Sequence, residues 1–194
     1  WLAAIGFSDF AGSTLVHSTG GAAALAGIII LGPRFGRFDS KGNPKAIQPF
    51  AASSIPLVTI GVFVLWLGWF GFNGGSQLAL GSFADAVAIS TIFINTNLAA
   101  CGGVLAAAVI TRLLFGKTDV VQMLNGAIGG LVAITAEPLA PTPLAAILIG
   151  AMGGVIVVFG TKLLFSFKLD DVVGAIPAHM FAGIFGTLVV PITN

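Results

Sequence analysis

The sequence has few charged residues. Eight Lys and Arg and seven Asp and Glu make up 8% of its 194 residues, whereas a soluble domain carries roughly 25% charged residues. Hydrophobic residues make up 57% of the chain, and the mean hydropathy is +1.06. A chain of this composition cannot cover a water-facing surface of its own size. The sequence therefore predicts an all-α, polytopic transmembrane helix bundle.

Other residue types that are rare or absent exclude further features of the protein. The single cysteine, Cys101, excludes an internal disulfide. Tyrosine is absent, so any interfacial aromatic belt depends on Trp and Phe. The sequence contains no basic patch of the kind that would indicate a nucleic-acid partner. The chain shows neither an initiator Met nor a signal peptide, and we expect it to be an excerpt of a longer protein.

The sequence does contain long runs of apolar residues. They predict six transmembrane helices within one partial domain, 1–194, and most reach the ~20 residues that a membrane crossing needs. The predicted bounds are 7–31, 51–76, 86–115, 120–135, 144–165 and 172–190. The fourth segment is short and rich in glycine. Gly-x-x-x-Gly pairs at Gly71/Gly75, Gly126/Gly130 and Gly150/Gly154 predict close helix packing.

The cations indicate an orientation. All of them fall in or beside the first, third and fifth loops, as Arg34, Arg37, Lys41, Lys45, Arg112, Lys117, Lys162 and Lys168. The second and fourth loops contain neither Lys nor Arg. By the positive-inside rule the basic loops face the cytoplasm, so the first helix runs from outside to inside. A count of six membrane spans is the one that makes loops with Lys or Arg alternate with loops that have neither.

Both histidines lie in one repeated frame, D-x-x-G-x-x-x-x-H, at Asp9–His17 and Asp171–His179. A helix would place each histidine ~12 Å from its aspartate. Because the two frames enter from opposite faces of a core ~30 Å thick, both histidines should lie near its midplane. This arrangement is typical of an inverted-topology repeat with a site where its halves meet.

Ionisable groups inside a membrane are costly and mostly functional, so we expect the histidine pair to be functional. Two neutral imidazoles could share a proton and present a polar edge to a small neutral or transiently deprotonated solute. Asp9 has two interpretations. It caps a helix start, as Asp171 could also do, or its charge stabilises a cation near the outer mouth.

Aromatic residues at the outward end of the second helix form the stretch Trp66–Ser76. One interpretation of Trp66 and Trp69 is interfacial anchoring. The other is an aromatic cation-binding mouth, in which Phe72 excludes water and Ser76 offers an oxygen. Composition does not decide between them.

The sequence resembles the ammonium transporter family (Amt/Mep/Rh), and its Amt branch more than its Rh branch. The matching stretches stand in family order and cover nearly the whole chain. They are DFAGSTLVH at 9–17, LGPRFGRF at 31–38, GWFGFNGGS at 68–76, NGAIGGLVAITAEP at 125–138 and DDVVGAIPAHMFAGIFGTL at 170–188. The resemblance implies an eleven-helix homotrimer with an inverted repeat, of which this chain would supply the fifth to tenth helices.

The resemblance also implies residue roles. His17 and His179 would be the twin histidines of a hydrophobic pore, and Phe72 one of two gating phenylalanines. Asp9, Ser76 and Trp69 would serve ammonium recruitment, and Thr135 would lie near the vestibule. The implied function is transport of ammonium or ammonia across the plasma or inner membrane, with neither an enzyme activity nor a cofactor or metal. Regions absent here would dock a PII-type signal protein.

Some features depart from the family, and other functions compete. The first four helices, with the other gating phenylalanine, are missing, so we expect that the 194 residues alone do not transport. Gly174 stands where some relatives have an aspartate, and no vestibule role is carried over to it. A Rh-like electroneutral gas channel or an ammonium sensor is an alternative. A membrane metalloenzyme using His17, His179 and Asp9 fits less well, because a third close ligand is lacking.

Overall fold

The computed structural model describes residues 1, 3–39 and 50–194, and these form a helical bundle. Its principal helices are α1 (Ser13–Leu31), α2 (Ile55–Gly75), α3 (Phe83–Phe115), α4 (Val120–Ile134), α5 (Pro143–Ser166) and α6 (Ile176–Thr193). All except α4 are long and apolar enough to cross a membrane. The all-α polytopic fold class is thereby confirmed. Lys41 and Lys45 lie outside the described residues.

Four helices begin at caps that the sequence encodes. Each capping side chain accepts a hydrogen bond from the backbone N–H three residues further on, which satisfies a donor that the helix leaves free. The capping residues are Ser54 for α2, Ser82 for α3, Asp119 for α4 and Thr142 for α5. These helices begin and end within four residues of the predicted bounds.

The helices α1 and α6 begin later than predicted, at Ser13 and Ile176 instead of 7 and 172. Residues 7–12 before α1 are not helical, and the N–H groups of Phe10 and Ala11 donate to the carbonyls of Ala136 and Thr135, just after α4. Before each of the two helices a glycine adopts a positive φ, 107° at Gly12 and 77° at Gly174. A helix cannot pass through that conformation, so the aspartate of each frame lies outside its helix.

The first turn of both helices is a π-helix, at Ser13–Ser18 and Ile176–Phe181. The ordinary α-helix resumes at Thr19 in α1 and at Ala182 in α6. The π-helix is rare and occurs mostly as single turns, frequently at functional sites. The straight helical spacing expected between each aspartate and its histidine is therefore wrong.

The core of the bundle is the contact between α3, α4 and α5. Glycines lie at their crossings, and a Cβ on any of them would collide with the backbone of a neighbouring helix. They are Gly103 on α3, Gly126 and Gly130 on α4, and Gly150 and Gly154 on α5. Close packing is thus confirmed for two of the predicted glycine pairs. It is wrong for Gly71 and Gly75, since no described atom lies within 4 Å of a Cβ on either.

Charged side chains join the loop after α1 to the segment before α6. Arg34 binds the carboxylate of Asp170 through two nitrogens, with Nε 2.7 Å from Oδ2 and a terminal guanidinium nitrogen 2.9 Å from Oδ1. Arg37 adds a 3.3 Å contact from its Nε and lies over the ring of Phe165. Asp170 is only 4% exposed. The hydrogen bonds from Arg34 hold the pKa of Asp170 below its usual range.

Candidate functional site

The helices α1 and α6 approach each other closely, because small residues line their contact. A Cβ on Gly21 would collide with Met180, and a Cβ on Gly183 would collide with the π-turn of α1. The hydroxyls of Thr14 and Thr187 also meet across the interface at 2.6 Å. The two helices that carry the histidines are therefore in direct contact.

His17 and His179 meet at this contact. Their Nδ1 atoms are 3.2 Å apart, and their ring centroids are 5.3 Å apart at an interplanar angle of 27°. In a neutral pair one Nδ1 carries a proton and the other accepts it. The Nε2 atom of His17 is buried without a hydrogen-bond partner among the described residues. The pair thus shares one hydrogen bond and leaves one buried ring nitrogen of His17 unpartnered among the described residues.

Trp69 packs against the ring of His17. The two rings stack with centroids 4.9 Å apart and an interplanar angle of 16°. The Trp69 indole donates from Nε1 to Thr135 Oγ1 at 2.9 Å, and the Thr135 hydroxyl donates to the Leu131 carbonyl at 2.6 Å. Trp69 is 6% exposed and Thr135 is fully buried. The interfacial-anchor interpretation of Trp69 is therefore wrong, and Trp69 and Thr135 belong to the histidine site.

Phe72 also contacts the site, one turn further along α2. Its ring centroid lies 5.4 Å from that of His17 and 5.8 Å from that of Trp69, and the residue is 37% exposed. It therefore flanks His17 from the end of α2 that we predict to face outward. Ser76 follows α2, and its hydroxyl donates to the Phe72 carbonyl at 2.8 Å. The Ser76 hydroxyl is thus directed to its own helix and not to the histidines.

The two aspartates of the repeated frame cap the π-turns. Asp9 Oδ2 accepts from the backbone N–H groups of Thr14 and Leu15. Asp171 accepts from three consecutive backbone N–H groups, those of residues 174–176. The capping interpretation is thereby confirmed for both. Asp9 Oδ1, however, is buried and has no hydrogen-bond partner among the described residues. The cation-stabilising interpretation of Asp9 stays a prediction.

A cavity of about 240 Å³ adjoins the histidine pair. Apart from the two imidazoles its wall is apolar, formed by Val16, Gly20, Gly21, Ala24 and Ala175. Most of these residues lie on the side of His17 that we predict to face inward. A water molecule occupies about 30 Å³ in the liquid, so the cavity is roomy enough for a small solute. Its polar contacts would come from the histidines.

The site contains no cluster that resembles a metal centre. Within residues 1, 3–39 and 50–194, no three His, Cys, Asp or Glu side chains converge on one point. The chemistry at hand is therefore that of two hydrogen-bonded imidazoles, two aromatic rings and an apolar cavity. Such a set binds and releases a proton or a small hydrogen-bonding solute.

The sequence did not predict two features of this site, the π-turns and the Trp69–Thr135 hydrogen bond. A signal for the last existed, because the polar Thr135 follows the apolar run of α4 and a buried indole needs an acceptor.

Comparison with known proteins gives consistent results. The model of the Ammonium Transporter Family matches residues 1–194. The chain is 47% identical over 183 residues to ammonium transporter Amt2 of Archaeoglobus fulgidus, with 94% of this chain and 38% of the relative covered. It is 45% identical to a putative ammonium transporter of Synechocystis sp., covering 99% of this chain and 43% of that protein. The chain thus spans about two fifths of these curated relatives.

Solved structures show the same likeness. A protein described as a sensor Amt protein superposes with a TM-score of 0.90 at 37% identity, covering all of this chain and 46% of that one. Mep2 of Candida albicans superposes with a TM-score of 0.84 at 31% identity, covering 97% of this chain and 40% of that one.

Proposed function

The chain belongs to the ammonium transporter family, and we propose that the full-length protein moves ammonium nitrogen across a membrane past His17 and His179. The observation that carries this proposal is the 3.2 Å contact between the two Nδ1 atoms beside an apolar cavity. Side chains from α1, α2, α4 and α6 converge there. The cavity is large enough to admit ammonia.

The physics of the pore favours ammonia over a cation. A bare cation costs several kcal/mol or more in an apolar, water-poor environment, whereas a neutral solute carries a far smaller penalty. No Lys, Arg, Asp or Glu lines the described cavity to offset a charge. Ammonium can shed its charge as a proton and potassium cannot. Selection against potassium follows from this difference.

The proposed path has four steps. Ammonium is recruited at the outer face, where Asp9, Ser76 and Trp69 are the candidate residues. It loses water at Phe72, whose ring partly covers His17. It gives up its proton to an imidazole of the histidine pair, which passes the proton on separately, and ammonia then moves along His17 and His179 into the apolar cavity. The imidazoles supply the hydrogen bonds that ammonia would otherwise make to water.

The setting of this path is a multi-pass membrane protein. We propose the plasma or inner membrane, six crossings within this chain and an α1 that runs from outside to inside. The absence of Lys and Arg from the second and fourth loops supports that direction. A homotrimeric assembly and a PII-type partner, docked through regions outside this chain, complete the proposal.

An ammonium sensor is the second candidate function. It is favoured by the TM-score of 0.90 to a protein described as a sensor Amt protein. A sensor needs to bind ammonium without necessarily passing it, so the same site serves both functions. Net flux distinguishes them.

The test is uptake of radiolabelled methylammonium, and ammonium-induced current, in vesicles that contain the full-length protein. We expect saturable uptake by the wild type and a loss of at least about 100-fold in His17→Ala and in His179→Ala. Ser90→Ala is the matched control, because the Ser90 hydroxyl bonds only within α3 in the described residues. Ammonium binding without flux would favour the sensor. Current-free uptake would favour a gas channel, and wild-type uptake by both histidine variants would refute the pore assignment.

A further inference from the structure

Both histidines stand on π-turns, and a π-turn needs support. Its hydrogen bonds run to the fifth residue back, as from the N–H of His17 to the Gly12 carbonyl at 3.2 Å and from the N–H of Ala182 to the Pro177 carbonyl. The π-helix is rare because its packing and hydrogen bonding are less favourable than those of the α-helix. The direction of each imidazole therefore depends on what holds its turn in the wider form.

Side-chain hydroxyls hold the π-turn of α1. Ser18 Oγ donates to the Ser13 carbonyl at 3.1 Å, and Thr19 Oγ1 donates to the Thr14 carbonyl at 3.2 Å. Each hydroxyl reaches the carbonyl five residues back, the spacing of a π-turn. Such bonds offer the backbone an alternative to the regular helical ladder. The two hydroxyls thus stabilise the widened turn that carries His17.

Ser18 differs from Thr19 in what surrounds it. Ser18 is 7% exposed, and its hydroxyl also lies 3.4 Å from the Met180 carbonyl, the residue after His179. The single hydroxyl proton is therefore shared between a carbonyl of α1 and a carbonyl of α6. A Cβ on Gly183 would come within 2.5 Å of the Ser18 oxygen, so this hydroxyl fits a confined space. Thr19 is exposed and bonds only within α1 in the described residues.

We propose that Ser18 is a positioning residue for the histidine pair. Its hydroxyl joins the π-turn that carries His17 to the π-turn that carries His179, and so keeps the two Nδ1 atoms within hydrogen-bond distance. The part that concerns transport rests on the proposed function. Ser18 itself acts through the backbone and does not touch the solute.

The proposal predicts different effects on the maximal rate and on the half-saturating concentration. Loss of the Ser18 hydroxyl releases both carbonyls and lets the two π-turns shift relative to each other. Proton sharing and ammonia passage depend on the geometry of the histidine pair, so the maximal rate falls. Recruitment at the outer face does not involve Ser18, so the half-saturating concentration stays unchanged.

The experiment uses the full-length protein with Ser18→Ala, Ser18→Cys and the control Thr19→Val. Methylammonium uptake is measured against concentration, and the Nδ1–Nδ1 separation is measured by cryo-electron microscopy. For Ser18→Ala we expect a maximal rate lower by about tenfold, a half-saturating concentration within about twofold, and a separation beyond hydrogen-bond distance. Ser18→Cys keeps a weak donor and should lie between Ser and Ala. Thr19→Val removes a bond within α1 but keeps the contact between α1 and α6, so its maximal rate should fall by less than that of Ser18→Ala.

Several outcomes overturn the proposal. An unchanged rate and separation in Ser18→Ala would do so, as would an equal loss in Thr19→Val. If Ser18→Ala fails to fold, Ser18→Cys provides the test. A lower maximal rate with a longer Nδ1–Nδ1 separation would support the proposal, and wild-type values of both would contradict it. A wild type that does not transport would sink the proposed function, yet the separation in the variants would still test the positioning role.

Discussion

The two copies of the aspartate–glycine–histidine frame, called outer and inner after the orientation that we predict, bring their histidines together with different supports. Apart from its aspartate cap, which both copies have, the outer copy, Asp9–His17, is held by uncharged hydrogen bonds: backbone bonds to the residues just after α4 and hydroxyl bonds within its π-turn. The inner copy, Asp171–His179, follows directly after Asp170, which two arginines hold. The comparison teaches that one geometry can be stabilised by neutral hydrogen bonds on one side and by an ion-pair cluster on the other.

The largest expected effect is on the inner side. Asp170→Ala should destabilise the protein by about 3 kcal/mol, because it leaves the buried guanidinium of Arg37 without its carboxylate. The measurement is thermal unfolding of the detergent-solubilised full-length protein. Asp119→Ala is the control, since it removes only the cap of α4 and should cost about 1 kcal/mol. If both variants lost the same free energy of unfolding, the ion-pair cluster at Asp170 would stabilise the protein no more than an ordinary helix cap does.

The two glycines of the frame should differ, with the outer one more sensitive. Gly12→Ala should cost about 2 kcal/mol and Gly174→Ala about 1 kcal/mol. At Gly12 the backbone is left-handed with a φ of 107°, well beyond the value of about 57° that is usual for this conformation, and a Cβ would meet Val16 Cγ2 at 2.7 Å. At Gly174 the φ of 77° is milder, and the neighbour is the side-chain amide of Asn125, which can turn away. Unfolding of both variants measures the difference, and the reverse order would contradict it.

Variants of the two aspartates distinguish a capping role from a role in cation recruitment. Asp9→Asn keeps an acceptor for the N–H groups of Thr14 and Leu15, so stability should change by less than about 1 kcal/mol. If Asp9 also stabilises the incoming cation, its loss of charge should raise the KM for ammonium about tenfold. Asp171→Asn is the matched control on the inner side and should leave KM unchanged. An unchanged KM in Asp9→Asn would leave capping as the only role of Asp9.

The smallest expected effect is a difference in acid sensitivity. Because hydrogen bonds from Arg34 lower the pKa of Asp170 in the folded protein, its stabilising contribution is fully present above the unfolded carboxyl value of about 3.9. That contribution is lost as pH falls through the lowered folded-state pKa. Unfolding measured from pH 6 to pH 3 should therefore show a smaller loss in Asp170→Asn than in the wild type. Parallel curves would mean that the ion-pair cluster does not set acid stability.

The sequence was informative where periodicity and spacing carry the information. Apolar runs located every principal helix, and the repeated frame predicted that His17 and His179 would meet. Both depend on properties that are local in sequence or repeated along it.

Other features depend on contacts between distant segments, and the sequence could not show them. The late starts of α1 and α6 follow from backbone pairing with α4 and from glycine conformations that no local pattern specifies. The π-turn of α1 uses ordinary residues, Ser18 and Thr19, whose hydroxyls become supports only after the turn has formed. Asp170 and Asp171 are neighbours in sequence, yet one binds arginines and the other caps a helix.

The glycine crossings of α3, α4 and α5 have a mechanical consequence. Main-chain atoms touch main-chain atoms there, so no side chain can change rotamer to absorb a displacement. A shift of one helix must break the whole contact at once, which makes this part of the bundle stiff. For the transport that we propose, we therefore expect the rings of α2 and the widened turns of α1 and α6, and not this three-helix unit, to accommodate the solute.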